Sequence, residues 1–164
     1  IGGVERSEES FKKILEDNFG LTIKEYRRML YLSLMKEKVS QQIDNEAIRL
    51  SETVQAAVKS GKNLKSIAEE LGDKVLYEET GGLVDKMNVD GGRATLAMKL
   101  ETGQTSDRIM SSSGDGYYFV TLINKTDSSV NYTSIKIPFR EFDNRVKQVR
   151  EAGKIKEFIT LKDE

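Results

Sequence analysis

Along the N-terminal part of the chain, apolar residues recur every three or four positions, which is the spacing of one helix face. The first such group is Phe11, Ile14, Leu15 and Phe19. Ser7 precedes this group as an N-cap and Gly20 follows it as a helix end, so a helix is predicted between them. A second helix is predicted to begin at Thr22, because Thr22 and Glu25 have the spacing of a capping box.

The second helix is apolar over more than one face. Its apolar residues are Tyr26, Met29, Leu30, Leu32, Leu34, Met35, Val39 and Ile43. A helix of this kind needs cover from several neighbours. Ordinary helix packing is the simpler explanation of the stripe. The functional explanation is an adaptable groove for unfolded chains, because methionine and leucine side chains repack around varied ligands. The residues assigned to that candidate chaperone groove are Tyr26, Met29, Leu30 and Met35.

Helical signals continue from 47 to 71, with a break predicted near Ser51 and a firmer one at 60–63. Residues 74–79 are then predicted to form a short edge strand that leads into the Gly81-Gly82 turn. Residues 94–100 favour about two helical turns, which Gly103 ends.

The strongest strand signal is the apolar run 117–123, which follows the turn 114–116 and is predicted to be central in its sheet. A polar linker is predicted at 125–131, and the alternating segment 132–139 is predicted to be a strand. A helix over 141–159 follows, with apolar residues Phe142, Val146, Val149 and Ile155. Together these elements predict an α+β protein.

The composition of the chain argues against several kinds of binding and catalytic site. Among the 164 residues, 26 basic and 27 acidic side chains give a net charge of −1, which disfavours nucleic-acid binding. The chain has no cysteine and no histidine, so it lacks thiolate ligands and the usual neutral-pH base. No metal site and no cofactor are predicted. Gly81-Gly82 and Gly91-Gly92 lack the Lys-Ser/Thr of a phosphate loop.

An ordered set of residues in the middle of the chain resembles a parvulin-type (PpiC, or rotamase) peptidyl-prolyl isomerase domain. The matching residues are Gly81, Gly82, Leu83, Leu100, Gly103, Gln104, Ser106, Gly116, Tyr117, Tyr118, Phe119 and Val120, preceded by the helix-and-glycine segment 58–71. Upstream, residues 20–30 resemble the N-terminal chaperone helices of the SurA and PrsA families, which directly precede the parvulin domain.

The resemblance implies a helical chaperone lobe and a small antiparallel sheet flanked by helices. It divides the chain into an N-terminal helical region 1–50, a parvulin-like domain 51–125 and a C-terminal part 126–164. The strand that opens a parvulin domain has no counterpart before residue 58. We expect 133–139 to fill that position in a permuted order, with the last helix packed on the N-terminal helices. The alternative is a second, incomplete repeat that begins at Tyr132.

Parvulin-like enzymes carry two histidines on their central strands and a proline pocket of methionine and phenylalanine. In this chain Tyr118 matches the second histidine, and Ile135 or Ile137 would take the place of the first. Val89 lies near the pocket methionine and Arg93 near the pocket phenylalanine. A charge where proline docks is costly, so the site is expected to be degraded. The candidate substrate-binding residues are Val89, Arg93, Met98, Tyr118, Ile135 and Ile137.

The function implied is a foldase that holds unfolded or proline-containing polypeptides, with weak or lost isomerase activity. Catalysis would require the Tyr118 hydroxyl, and the simpler explanation of Tyr118 is a half-buried strand tyrosine with its hydroxyl at the surface. The resemblance also implies an extracytoplasmic bacterial location, with secretion or a membrane anchor upstream of Ile1. The alternative function is a non-enzymatic scaffold or assembly module that docks one partner.

Overall fold

The structure is a computed structural model that describes residues 7–155. The chain divides into two compact units, Ile1–Lys38 and Val39–Glu164, which are treated separately. This boundary differs from the predicted one at residue 50. The predicted parts 51–125 and 126–164 both fall within the second unit, because strands from both contribute to one sheet.

The first unit contains helix α1, Glu8–Phe19, and most of helix α2, Ile23–Ile43. Both predicted starts are confirmed by their caps. The Ser7 hydroxyl accepts a hydrogen bond from the Ser10 amide at 3.2 Å. In the capping box, the Thr22 amide donates to Glu25 Oε2 at 2.8 Å and the Glu25 amide donates to Thr22 Oγ1 at 3.3 Å.

Four helices belong to the second unit: α3 (Asn45–Lys59), α4 (Leu64–Leu71), α5 (Arg93–Ala97) and α6 (Glu141–Glu151). The break predicted near Ser51 is wrong. Ser51 lies inside α3, where its hydroxyl donates to the Ile48 carbonyl at 2.6 Å, and the helix begins after Asp44, which accepts from the Ala47 amide at 2.9 Å. The break at 60–63 is confirmed, and the predicted helix 94–100 ends at Ala97.

One antiparallel sheet forms the centre of this unit. Its strands are β1 (Leu76–Glu79), β2 (Val84–Asp85), β3 (Ile109–Met110), β4 (Gly116–Lys125) and β5 (Ser129–Pro138). The strand order is β1-β5-β4-β3, and β2 pairs with the first residues of β5. The α+β class, the edge position of β1 and the central position of β4 are therefore confirmed.

The linker predicted at 125–131 is wrong, because β4 and β5 form a hairpin. Thr126 closes the turn: its amide donates to the Ser129 carbonyl at 2.8 Å, and its hydroxyl accepts from the Ser129 amide at 3.1 Å. The Ser, Thr and Asp residues thus build a tight turn instead of a flexible connection. Since β5 pairs with both β1 and β4, the segment after Tyr132 completes this sheet and does not start a separate repeat.

Side chains from the two central strands point alternately to two cores. Residues Tyr117, Phe119, Ile135 and Ile137 pack against α3 and α4. On the opposite face, Val120, Leu122, Val130 and Tyr132 pack against Ala94 and Ala97 of α5. Tyr118 also points to the α5 face, so this face holds the candidate site.

Helix α6 is fixed to the second unit by Asp44. The buried Asp44 carboxylate accepts from the amides of Arg140 at 2.7 Å and Glu141 at 3.0 Å, in addition to capping α3. An apolar groove of about 270 Å³, the α2–α6 groove, is lined by Val39, Ile43, Phe142, Arg145, Val146, Val149 and Ile155. The described part of α6 therefore lines this groove together with the last turn of α2. The remainder of the predicted helix 141–159 lies outside the described residues.

None of the helices within residues 7–155 combines the length and the apolar character that a membrane span requires.

Candidate functional site

The candidate site is centred on Tyr118, which lies on β4 between Ile109 of β3 and Lys136 of β5. The side chain is only 4% exposed, so the structure buries more of it than the sequence suggested. The Arg93 guanidinium lies 4.8 Å from the ring centroid, and the Lys136 ammonium lies 5.7 Å from it. Two cations therefore flank the aromatic ring, an arrangement that its electron-rich face favours.

Arg93 is held over Tyr118 by several polar contacts. It begins α5, donates from Nε to the Asp90 carbonyl at 2.8 Å and donates to Ser134 Oγ at 3.0 Å. Its guanidinium also pairs with the Glu78 carboxylate. Burial has the largest single effect and disfavours the charge of Arg93, but the hydrogen bond to Glu78 together with the charges of nearby groups outweighs it, and the pKa of Arg93 is raised. The guanidinium therefore remains charged where the resemblance places an apolar pocket.

Lys136 is held near the ring by Asp115. The two side chains form an ion pair, and the Ser113 hydroxyl donates to Asp115 Oδ1 at 3.0 Å. Burial disfavours both charges. Burial is the largest single effect on each group, but the mutual hydrogen bond, the attraction between the charges and the hydrogen bonds to neighbouring side chains together outweigh it, so the pKa of Lys136 is raised and the pKa of Asp115 is lowered. Both groups are charged at neutral pH.

A close approach of the backbone completes this site. Gly91 has φ of 75°, and a Cβ atom there would lie 2.8 Å from Ser111 Oγ and 3.3 Å from the Tyr118 ring. Any larger residue would push the loop away from the tyrosine. The neighbouring Asp90 accepts a 2.6 Å hydrogen bond from the Tyr132 hydroxyl. The pKa of Tyr132 is raised by burial and by this hydrogen bond.

Of the predicted substrate-binding residues, only Arg93 contacts Tyr118. The prediction for Ile135 and Ile137 is wrong: both are fully buried in the core against α3 and α4, on the opposite face of the sheet. The residues of β5 on the Tyr118 face are Ser134 and Lys136. Alternation along β5 places Ser134 and Lys136 on the face opposite to Ile135 and Ile137, but which of these faces Tyr118 shares depends on the pairing of β4 with β5.

Two other predicted residues lie apart from the ring. Val89 is fully exposed on the loop before α5. Met98 is half-buried at the end of α5 and packs against the α5 core. The proline pocket that the resemblance implies is therefore not assembled from Val89, Met98 and an apolar residue at 93.

The predicted chaperone groove lies in the first unit and is an exposed surface. Tyr26 is half-buried with its ring 5.5 Å from that of Phe11 in an edge-to-face contact. Six other large apolar residues of this helix are 43–62% exposed. We call them the α2 apolar surface: Met29, Leu30, Tyr31, Leu32, Leu34 and Met35. Because these residues are nearly consecutive, the surface extends around the helix.

The chemistry available to the site is limited. Residues 7–155 contain no group of three or more acidic side chains arranged to hold a metal ion. Tyr118, Arg93 and Lys136 offer positive charge and hydrogen-bond donors but no neutral-pH base.

Comparisons of the chain with protein-family models, with curated proteins and with solved structures found no match. The function is therefore inferred from the resemblance of the sequence to parvulin domains and from the geometry of the described residues.

Proposed function

We propose that this chain is a parvulin-like chaperone, or foldase, domain that binds unfolded polypeptides and has a degraded isomerase site. The observation that carries this proposal is the α2 apolar surface in the first unit. Large apolar patches on a protein surface mark interaction sites. Methionine and leucine adapt their shape to many partners, so this composition suits clients without a common sequence.

The loss of isomerase activity is supported by the position of Arg93. Isomerisation of a prolyl bond has a barrier of about 18–20 kcal/mol, which an enzyme lowers by binding the twisted amide more tightly than the planar one. That requires an apolar pocket for the proline ring. The charged Arg93 guanidinium, paired with Glu78, occupies the space beside Tyr118 instead. The Tyr118 hydroxyl alone offers a weak substitute for two histidines.

The partners and the compartment of this proposal follow from the resemblance. The clients are unfolded or proline-containing polypeptides in an extracytoplasmic bacterial compartment. The protein is secreted or is held at the membrane by a segment upstream of Ile1. No cofactor is involved.

The test is suppression of aggregation of several unrelated, chemically denatured proteins, followed by light scattering. The wild type is expected to suppress all of them, and Met29→Ser/Met35→Ser is expected to lose most of this effect. Arg27→Ser serves as a matched control, because Arg27 is an exposed polar residue of the same helix. A wild type that suppresses aggregation of none of these proteins when in excess would overturn the proposal.

A second candidate function, a scaffold or assembly module that docks one partner, is favoured by the α2–α6 groove. A defined apolar groove of about 270 Å³ accommodates a particular side chain better than it accommodates varied clients. Binding to a single partner that is lost in Val146→Asp, without suppression of aggregation, would support this function over the chaperone.

A further inference from the structure

An ordered loop between β1 and α5 exposes three large apolar side chains. Leu83, Met87 and Val89 are all exposed, with Met87 at 76% and Val89 fully open to solvent. Single exposed apolar residues are common on protein surfaces. Three of them within loop 83–89 form a local patch, which is a feature of interaction sites.

The first half of the loop is fixed by backbone contacts. Asp85 Oδ1 accepts from the Met87 amide at 2.7 Å, and the Asp85 carbonyl accepts from the Asn88 amide at 2.9 Å. These two bonds form a turn closed by an aspartate side chain. The Lys86 amide donates to the Ser128 carbonyl at 2.9 Å, which attaches this turn to the β4–β5 hairpin.

The second half is fixed by Asp90. Its carboxylate accepts from the Tyr132 hydroxyl at 2.6 Å, from the Ala94 amide at 3.1 Å and from Asn88 Nδ2 at 3.2 Å. The backbone is therefore held on both sides of Met87 and Val89. A loop with this many contacts holds its apolar side chains in solvent, and burying them requires a partner.

The charges around the loop define the chemistry of that partner. The carboxylates of Asp85 and Asp90 lie in and directly after the loop, and Asp127 lies in the hairpin turn, where its backbone carbonyl accepts from the Lys86 ammonium at 3.1 Å. The Arg93 guanidinium beside Asp90 is paired with Glu78, so the three aspartates exceed the one remaining cation, Lys86. An excess of negative charge attracts basic side chains and repels an anionic bilayer. The patch is therefore suited to a polypeptide in which apolar residues stand beside lysine or arginine.

We infer that loop 83–89 binds apolar polypeptide segments flanked by lysine or arginine. This inference rests on the proposed function, since it states which segments of an unfolded client the second unit selects. The loop belongs to the second unit and the α2 apolar surface to the first. The two surfaces can therefore be altered independently.

The test uses fluorescence anisotropy with two labelled peptides that share one apolar core and differ only in lysine or glutamate flanks. The wild type is expected to bind the lysine-flanked peptide about tenfold more tightly. Met87→Ser/Val89→Ser is expected to weaken that binding about tenfold, as loss of two apolar anchors does. Leu76→Ser is the matched control, because Leu76 is an exposed apolar residue of β1 outside the loop. Asp127→Lys is expected to reduce the preference for lysine flanks.

Equal affinity for the two peptides, or unchanged binding by Met87→Ser/Val89→Ser, would overturn the inference. If the wild type still suppresses aggregation in that case, the proposed function survives and only the role of the loop is refuted. A wild type that binds neither peptide and suppresses no aggregation refutes both. Binding to vesicles of anionic phospholipid that Met87→Ser/Val89→Ser abolishes, without peptide binding, would assign the loop to a membrane and overturn the inference.

Discussion

The guanidinium of Arg93 lies over the ring of Tyr118, with 4.8 Å between the guanidinium carbon and the ring centroid. Both residues lie on the α5 face of the sheet, and Lys136 approaches the same ring at 5.7 Å. Under the proposed function, this charge occupies the region in which an active isomerase would bind a proline ring. Polypeptide binding and isomerisation are therefore treated as separable under the proposal, since a surface can bind unfolded chains without an apolar pocket at this point.

We predict that the wild type does not accelerate a proline-limited refolding reaction above the uncatalysed rate. The physical reason is the desolvation cost of placing a proline ring against a charged guanidinium. The paired substitution Arg93→Phe/Tyr118→His removes this cost and restores a histidine, so it is expected to gain measurable activity. Catalysis by the wild type that disappears in Tyr118→Phe would contradict the prediction and assign the activity to the tyrosine hydroxyl.

Asp44 connects the start of α3 to the start of α6, and its removal is predicted to destabilise the second unit. In Asp44→Ala, the Ala47 amide loses its cap, and the amides of Arg140 and Glu141 lose a buried acceptor. We expect a loss of about 2–4 kcal/mol in the free energy of unfolding, measured by urea denaturation.

Two control variants make this result specific. Asp44→Asn is expected to cost less than Asp44→Ala, because the amide oxygen still accepts one hydrogen bond. Ser7→Ala removes a single exposed cap from α1 and is expected to cost about 1 kcal/mol or less. Equal effects of Asp44→Ala and Ser7→Ala would show that Asp44 does not fix α6.

Ile135 is predicted to matter for stability and not for client binding. It is fully buried against α3 and α4, so Ile135→Val is expected to cost about 0.5–1.5 kcal/mol in unfolding free energy. Client affinity should stay within twofold of the wild type. The exposed Val89→Ser should show the reverse pattern, with stability unchanged and peptide binding weakened. A drop in client affinity for Ile135→Val at unchanged stability would show that Ile135 belongs to the binding site.

Local sequence signals predicted one part of the fold correctly. The caps at Ser7 and Thr22 and the run that forms β4 are local signals, and each was confirmed. The face on which Ile135 lies depends on its pairing with Phe119 across the sheet, which local alternation does not specify. The hairpin at Thr126 was missed because its polar residues equally suit a linker.

The contacts that complete the site join residues far apart in the chain. Arg93 meets Ser134, 41 positions later, and Asp44 meets Arg140, 96 positions later. No local pattern signals such pairs. At the level of sequence, only the resemblance places Arg93 near Tyr118, and it does not predict the pairing of Arg93 with Glu78.

The ion pair of Asp115 and Lys136 predicts a pH-dependent difference between wild type and Asp115→Asn. The folded-state pKa of Asp115 is lowered from 3.8, so its stabilising contribution is present above that pH and is lost as the pH falls through the folded pKa. Because the Asp115 side chain is 42% exposed, the contribution at pH 7 is expected to be about 1 kcal/mol or less.

Urea unfolding of both proteins at pH 7 and at progressively lower pH measures this contribution. The difference between wild type and Asp115→Asn is expected to shrink in the acid range below 3.8. Lys136 has a folded-state pKa raised above 10.5. Its contribution to the stability of the fold is therefore fully present below pH 10.5 and is lost as the pH rises through the folded-state pKa. A difference that stays constant from pH 7 into the acid range would show that the pair does not stabilise the fold.

The most direct test of the chaperone proposal is the affinity of the protein for a permanently unfolded client, such as a reduced and carboxymethylated disulfide protein, measured by titration calorimetry. The wild type is predicted to bind, and Met29→Ser/Met35→Ser is predicted to bind at least about tenfold more weakly, because it loses two exposed apolar contacts of α2. Arg27→Ser should bind as the wild type does. Equal binding by all three proteins, or no binding by the wild type, would contradict the assignment of client binding to the α2 apolar surface.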